Sequence, residues 1–172
     1  MGIKIHKITN ANIFIDGEGQ LGRASEINLP EIQMVMQEHS GLGMMGKMEL
    51  PIGLDKAEGE IKWSAFYDDT MGRISNPFSA VPLQVRSSVG VYDARGRMND
   101  KPMVTYITAL FKSIPGGNYK HLADAEFTSK FSCVYFKQMV DSQVVVELDW
   151  LANIFAVNGR DVLGQIRDNL GQ

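Results

Sequence analysis

The chain has 172 residues, a formal net charge of −3 and 44% hydrophobic residues. This length allows one domain with a substantial core, the composition is that of an ordinary soluble globular protein, and the charge excludes a general attraction to nucleic acid or anionic membranes. Cys133 is the only cysteine, which excludes an intramolecular disulfide and the usual zinc-binding spacings.

The N-terminal region is predicted to form short strands. The opening residues "MGIKIHKITN" alternate in character instead of forming the apolar block of a signal peptide. His6 stands where a myristoylation signal needs Ser or Thr, and no apolar run approaches the ~18 residues of a membrane span. The stretches "NIFIDG" and "ASEINLP" have the residue types of strands. We therefore expect a soluble protein made in the cytosol.

A methionine-rich segment follows these strands. "QMVMQEHSGLGMMGKMELPIG" holds five of the ten methionines, and its glycines leave the backbone without a preferred conformation. Flexible backbone with large apolar side chains suits a surface that becomes ordered against a partner. On this interpretation residues 40–53 form a protruding loop, with Met44, Met45 and Met48 as contacts. The alternative is a core-facing hairpin whose methionines fill gaps.

One segment has the periodicity of a helix. In "WSAFYDDTMG" large apolar residues recur at helical spacing, Ser64 can cap the start and Gly72 can end it. The pattern predicts a short helix over residues 64–72 that packs on the β core through its aromatic side chains.

The C-terminal half has a dominant period of two. In "VPLQVRSSVGVY" the valines and Leu83 share one face, and later stretches are rich in β-branched and aromatic residues. Residues 93–102 are predicted to form a polar hairpin tip, residues 114–118 a tight turn or a bulge, and Asp141-Ser142 a hairpin turn. The whole chain, residues 1–172, is therefore predicted to be a single mainly β domain, an antiparallel β-sandwich or barrel of roughly eight to ten strands.

The chain ends in a turn and a short helix. Asn-Gly at 158–159 is a strong turn signal because both positions tolerate positive φ. After it, Val162, Ile166 and Leu170 recur every fourth residue, which predicts an amphipathic helix over residues 161–170. A helix of roughly ten residues is too short to be stable alone. It must therefore pack on its own domain or on another copy of the protein.

No arrangement of residues predicts catalysis or a metal site. The three histidines are far apart and lack metal-ligand spacing. Asp68-Asp69 are predicted to be solvated charges, because consecutive helix positions point about 100° apart, and Cys133 a buried small hydrophobe. The remaining basic cluster is either a solvated loop or a contact with a charged partner, and it comprises Arg95, Arg97 and Lys101. We expect no enzyme activity and no cofactor.

Three blocks of sequence resemble the major tail tube protein of contractile-tailed bacteriophages, which also occurs in R-type pyocin-like particles. They are "TNANIFIDG", "TALFKSIPGGNYKHLADAEFTSKFSCVYFK" and "WLANIFAVNGRDVLGQIRDNLGQ", and the similarity covers nearly the whole chain. It implies a β-sandwich or barrel with one packed helix, six copies in a ring with neighbouring sheets joined around a lumen, and rings stacked into a tube inside a contractile sheath. The implied fold is similar to that of the type VI secretion tube protein.

The resemblance also implies partners and a location. The chain would contact itself, the tail sheath protein, and the baseplate, tail terminator and tape measure proteins, in a virion tail assembled in the bacterial host cytoplasm. DNA would pass through without specific binding, and no membrane binding is implied. The methionine-rich loop and the terminal helix would pack on other copies through Met44, Met45, Met48, Val162, Ile166 and Leu170.

A lumen for DNA is expected to be neutral or acidic, because each Lys or Arg contact with phosphate strengthens binding through counterion release. Two predicted strands, "AEGEIKWS" and "QVVVELDW", each have a face of this kind, on which charged side chains alternate with apolar residues. The five charged side chains of the two faces together carry a formal charge of −3, and they are Glu58, Glu60, Lys62, Glu147 and Asp149. The alternative is that both faces are simply exposed to solvent.

Two alternatives to a phage tail tube follow from the sequence. The same fold could form the tube of a headless R-type bacteriocin or of a type VI-like secretion particle, through which no DNA passes. A monomeric β-sandwich binding module or small enzyme would instead have a concave pocket with convergent polar groups.

Overall fold

Strands occupy most of the chain in the computed structural model, which describes residues 2–172. The strands are β1 (Ile5–Ile15), β2 (Glu18–Gly19), β3 (Ala24–Asn28), β4 (Met34–His39), β5 (Met48–Leu54), β6 (Ala57–Trp63), β7 (Val81–Asp93), β8 (Gly96–Phe111), β9 (Asn118–Lys120), β10 (Ala123–Val140), β11 (Gln143–Asp149), β12 (Ile154–Val157) and β13 (Arg160–Asp161). The helices are α1 (Asp68–Ile74) and α2 (Gly164–Leu170). Because every pairing is antiparallel, the predicted fold class is confirmed.

Eleven strands form one continuous sheet, and its longest strand, β10, pairs with four other strands. The main order is β13-β12-β11-β10-β8-β7-β1-β2, with β3 paired to β6, and β6 and β9 paired to β10. The first part of β10, Phe127–Cys133, pairs with β6, whereas the part from Phe131 onward pairs with β8. A register shift in the β8 pairing falls between Cys133 and Tyr135. Buried residues of β1, β6, β7, β8, β10 and β11 contribute to one core.

The core has close contacts between β6 and β10. The side chains of Trp63 and Phe131 are almost completely buried, and the indole N–H of Trp63 donates to the buried hydroxyl of Ser129 at 3.0 Å. Position 59 must be a glycine for steric reasons. A Cβ there would lie 2.5 Å from the Phe131 ring and 2.8 Å from the Asn28 carbonyl oxygen, so only glycine lets these strands approach so closely.

The predicted helix at 64–72 exists, but its bounds were wrong. α1 begins at Asp68 and ends at Ile74, so Gly72 lies inside it. Ser64 does not cap it, because its hydroxyl hydrogen-bonds the Arg23 carbonyl oxygen at 2.9 Å and thereby joins the end of β6 to the segment leading into β3. The helix packs through Thr70, Met71 and Ile74 rather than through aromatic residues.

Of the four predicted turns, two are confirmed, the tip at 93–102 was wrong, and residues 112–117 form an irregular segment before β9 in which Gly117 has φ 84°. Both residues of Asp141-Ser142 and of Asn158-Gly159 have positive φ, and each pair joins two antiparallel strands. The predicted polar tip at 93–102 is much tighter, because Asp93 and Gly96 are already paired. Most of that polar segment therefore belongs to β8.

Neither helix in the described part of the chain has the length or apolar character needed to cross a bilayer.

Candidate assembly surfaces

The C-terminal helix α2 is attached to the body through polar contacts. Arg167 forms an ion pair with Asp161 and donates a second hydrogen bond to the Asn153 carbonyl oxygen at 2.9 Å. The Asn153 amide also donates to the Gln172 side chain at 2.9 Å. The guanidinium of Arg167 lowers the pKa of Asp161. The polar side of this helix therefore faces its own subunit.

The apolar stripe of α2 faces away from the subunit. Val162, Ile166 and Leu170 are 51%, 54% and 65% exposed, and none of the residues of α2 is buried. The helix begins at Gly164, so this glycine is at its first position and not in its interior. Gly171 ends the helix with φ 73°, as a left-handed C-cap requires. The predicted helix is therefore present, but its bounds of 161–170 were wrong, because α2 begins at Gly164 and Val162 precedes it. Its own domain does not cover the apolar side chains of Val162, Ile166 and Leu170.

Removing the Arg167 guanidinium should detach α2 without unfolding the domain. In Arg167→Ala we expect residues 164–170 to exchange amide hydrogens several-fold faster, because both contacts that Arg167 makes with the body are lost. The Tm should change little, since the ion pair is partly exposed and such pairs contribute little to stability. Arg160→Ala removes the same charge from neighbouring β13 and is the control. Equal exchange in both variants would contradict this role.

The methionine-rich segment forms a hairpin that projects from the body. β4 pairs with β5, and the Asp55 N–H donates to the Gln33 carbonyl oxygen at the base. Neither strand makes an extensive contact with another described element. The predicted loop at 40–53 is therefore shorter, at residues 40–47, because Met48 already belongs to β5. The core-facing alternative is wrong.

The hairpin tip carries fully exposed apolar side chains. Leu42 and Met45 have the exposure of free side chains, and Met44 and Met48 are 41% and 46% exposed. Gly43 has φ 86°, a conformation that glycine adopts readily. The three methionines singled out from the sequence are thus all accessible to another molecule.

The N-terminal edge of the sheet is a further apolar surface, which the sequence analysis missed. β1 pairs with β7 along its length, but its other side pairs with β2 only at Phe14 and Ile15. Ile3, Ile5 and Ile8 are 83%, 62% and 48% exposed near this open edge. The alternation in the opening residues was the available signal. An unpaired apolar edge is ready to pair with another strand.

The charged face of β6 is largely neutralised. Glu58 accepts from Lys56 at 3.0 Å and Lys112 at 2.5 Å, and the hydrogen bonds from Lys112 and Lys56 lower its pKa to about 2. Lys62 pairs with Glu26 at 2.7 Å, and Glu60 accepts from the Asn28 amide at 2.9 Å. As predicted, the three β6 side chains point away from the buried residues of that strand.

The corresponding face of β11 is similarly balanced. Glu147 accepts from the Tyr135 hydroxyl at 2.7 Å and pairs with Lys137 at 3.4 Å. Asp149 accepts from the backbone N–H groups of Leu151 and Ala152. The ion-pair partners of the five predicted side chains add one carboxylate and three ammonium groups, which brings the formal charge from −3 to −1. The face is thus nearly neutral.

The groups considered for catalysis have structural roles. Asp69 pairs with Arg23 at 2.6 Å, and the hydrogen bond from Arg23 lowers its pKa. Cys133 is buried, and desolvation raises its pKa to about 12, which leaves no thiolate nucleophile at neutral pH. Within residues 2–172, no group of three His, Cys, Asp or Glu side chains could hold a metal ion.

The predicted basic cluster lies at and near the β7–β8 turn, and its three side chains are partly exposed. Each of its cations already has a carboxylate: Arg95 pairs with Asp93 at 3.3 Å, Arg97 with Asp100 at 2.7 Å, and Lys101 with Asp141 at 3.4 Å. The ion pairs are compatible with a solvated loop, and a contact with a charged partner stays the alternative prediction.

A β-rich domain with a projecting apolar hairpin, an outward apolar helix and an open apolar edge has the surfaces of a structural protein that contacts other macromolecules. Residues 5–171 match the family described as phage tail tube protein FII. The chain therefore belongs to this family of structural tail tube proteins.

Two comparisons agree with this assignment. The chain is 28% identical over 169 residues to the tail tube protein of Escherichia phage P2, with 96% of each chain covered. Its fold is similar to a chain of the PVC sheath–tube complex of an extracellular contractile injection system, in the extended state. That likeness has a TM-score of 0.54 at 10% identity and covers 75% of this chain and 87% of the other.

Proposed function

We propose that this protein is the repeating subunit of the inner tube of a contractile phage tail, in which hexameric rings stack and the genome passes through on ejection. The observation that carries the proposal is that two separate apolar elements, the outward stripe at α2 and the projecting hairpin, are not covered by their own domain. Exposed apolar surfaces of this kind are characteristic of interaction sites. Distinct surfaces that bind each other head to tail generate rings and filaments.

The contacts divide between the ends of the sheet and the projecting elements. Within a ring, the open edge of β1 and the opposite edge at β13 are the surfaces through which neighbouring sheets join, because pairing removes exposed edges. Between rings, the hairpin contributes Met44, Met45 and Met48, and α2 contributes its stripe. Heterologous contacts of both kinds produce a stacked tube.

The proposed lumen lining is the outer face of β6 and β11. This face carries Glu58, Glu60, Lys62, Glu147 and Asp149 together with their Lys partners. Its near-neutral ion-pair arrangement leaves few free cations for phosphate and so suits DNA passage without specific binding.

The remaining partners follow from a tube within a contractile tail. The outside of the tube contacts the sheath protein, its ends contact the baseplate and tail terminator proteins, and its lumen holds the tape measure protein. The protein is then a non-enzymatic component of the virion tail, assembled in the bacterial host cytoplasm and without membrane binding.

A tube of a headless bacteriocin or secretion particle is the second candidate. The fold similarity to a chain of an extracellular contractile injection system favours it, because the same subunit architecture occurs there. Purified particles distinguish the two functions: a phage tail is attached to a DNA-filled head, whereas a headless particle contains no genome.

Electron microscopy of the purified chain tests the assembly. We expect rings or tubes in negative stain at protein concentrations at which the Ile166→Asp variant remains monomeric. A monodisperse monomer at all concentrations would contradict the proposal and favour a binding module.

A further inference from the structure

The turn between β11 and β12, residues 150–153, contacts both the hairpin β4–β5 and the helix α2. On one side, the indole N–H of Trp150 donates to the Asp55 carbonyl oxygen at 3.3 Å, directly after the end of β5. On the other side, the Asn153 carbonyl oxygen accepts from Arg167 of α2 at 2.9 Å. The same four residues therefore hold both elements, and we call them the bridging turn.

The base of the hairpin is oriented by hydrogen bonds that converge on Asp55. Its N–H donates to the Gln33 carbonyl oxygen at 2.9 Å and closes the hairpin, while its carbonyl oxygen is the acceptor for Trp150. The neighbouring residues Ile32 and Leu54 pack against the core. Apolar packing has no preferred direction, whereas a hydrogen bond requires alignment of its atoms. The bond from Trp150 therefore sets how the hairpin is held on the body.

The bridging turn is internally held by its own hydrogen bonds. The Asp149 carboxylate accepts from the backbone N–H groups of Leu151 and Ala152, both at 2.9 Å. The backbone N–H of Trp150 donates to the Val134 carbonyl oxygen in β10 at 3.2 Å, and its side chain packs against the core. These bonds leave the turn little freedom to change at one end without moving the other. Hydrogen-bond networks and rigid elements of this kind carry coupling between sites.

We propose that the bridging turn couples the order of the hairpin to the order of α2. Local opening of α2 releases Asn153 from Arg167 and loosens the turn, which weakens the hydrogen bond from Trp150 at its other end. Opening of the hairpin acts in the reverse direction. Elements whose local opening equilibria are linked stabilise each other, so a molecule that binds either element orders both. This coupling is a property of the single chain and goes beyond the proposed function.

Hydrogen exchange in the monomer tests the coupling, at a protein concentration below that at which tubes form. Trp150→Phe keeps an aromatic ring but removes the indole donor. We expect amide exchange to become several-fold faster in β4 and β5 and also in α2, although the hydrogen bond that is removed goes to the hairpin. Arg167→Ala should likewise speed exchange in β4 and β5, although the contacts that it removes go to Asp161 and Asn153. Linkage requires the effect in both directions.

Two control variants remove comparable groups elsewhere. Tyr67→Phe keeps an aromatic ring and removes a hydroxyl that hydrogen-bonds the Ser64 side chain at 3.0 Å, between β6 and α1. Arg160→Ala removes a guanidinium from β13. Neither control should change exchange in the hairpin or in α2. In the double variant Trp150→Phe, Arg167→Ala, the increase in α2 should be smaller than the product of the two single effects, because the second change acts on a link that is already broken.

Three results would overturn the coupling. If Trp150→Phe leaves exchange in α2 unchanged, or Arg167→Ala leaves exchange in the hairpin unchanged, the two elements are independent. Single effects that multiply in the double variant would lead to the same conclusion. An equal increase of exchange in β8 and β10 would show that the whole domain is destabilised instead. All these measurements use the monomer, so a failure of the wild-type protein to form tubes would contradict the proposed function and not the coupling.

Discussion

The Ile166→Asp variant is expected to fold as the wild-type protein does and to form almost no tubes. Ile166 is 54% exposed at the centre of the outward stripe, so its replacement removes nothing from the core. Burying such a side chain at an interface stabilises the interface by about 1.5–3 kcal/mol, and about 3 kcal/mol corresponds to roughly a 100-fold change in an association constant. A carboxylate in that interface adds a desolvation cost. Tube yield is measured by sedimentation and microscopy.

The Ile166→Asp substitution should leave α2 itself folded. Ile166 is the third residue of α2, where an acidic side chain interacts favourably with the helix dipole. Gln165→Asp adds the same charge one residue earlier, beside the apolar stripe instead of within it, and is the matched control. The variant and the control should have equal melting temperatures. An Ile166→Asp protein that unfolds as a monomer would show that the stripe belongs to its own domain.

The strand pattern could be predicted because alternation records which face of a strand is buried. Ile61 and Trp63 alternate with charged residues in the sequence, and the structure buries both. The turns at Asp141-Ser142 and Asn158-Gly159, in which both residues have positive φ, could also be predicted. Asp, Asn and Gly tolerate a backbone with positive φ, so the signal is local and does not depend on the rest of the fold.

The bounds of α1 could not be predicted in the same way. Ser64 has the chemistry of a cap, but a hydroxyl binds whichever backbone group the fold brings near it, and here that is the Arg23 carbonyl. The partner lies 41 residues away in sequence. Tertiary contacts of this kind override local capping preferences.

Among the candidate assembly surfaces too, features set by local sequence could be predicted, whereas features set by tertiary contacts could not. The stripe of α2 and the accessible methionines were identified because apolar residues in a short helix and a Gly-rich segment need covering. Arg167 was not identified, because its contacts with Asp161 and Asn153 depend on how α2 returns to the body.

The charge of the proposed lumen face was overestimated for a similar reason. Counting along β6 and β11 gives carboxylates on alternate positions, but the cross-strand cations come from other segments. Lys112 belongs to the segment after β8, and Lys137 to β10. Side chains from neighbouring strands contribute to each face of a sheet, so the net charge of a face cannot be predicted from the sequence of one strand alone.

Reversing charge on β6 should slow genome ejection more than it harms assembly. Glu58→Lys with Glu60→Lys changes the formal charge of the chain by four units, from −3 to +1. It also leaves Lys56 and Lys112 without the carboxylate that they share, so several free ammonium groups per copy would face the DNA. Phosphate contacts of this kind bind through counterion release, and their effect repeats in every ring. We expect tubes of normal appearance, a lower melting temperature, and slow or blocked ejection.

Salt provides the discriminating measurement, because binding by Z phosphate contacts weakens with salt in proportion to Z, with a slope of about −0.9Z on logarithmic axes. Ejection from the variant should therefore recover as the salt concentration rises, whereas a defect in assembly or folding would not follow that dependence. Glu31→Lys with Asp124→Lys adds the same charge at exposed positions off β6 and is the control. Normal ejection from tubes of the Glu58→Lys, Glu60→Lys variant at low salt would place this face outside the lumen. An equal delay in the control would indicate a general effect of charge, since neither of its positions belongs to the proposed lining.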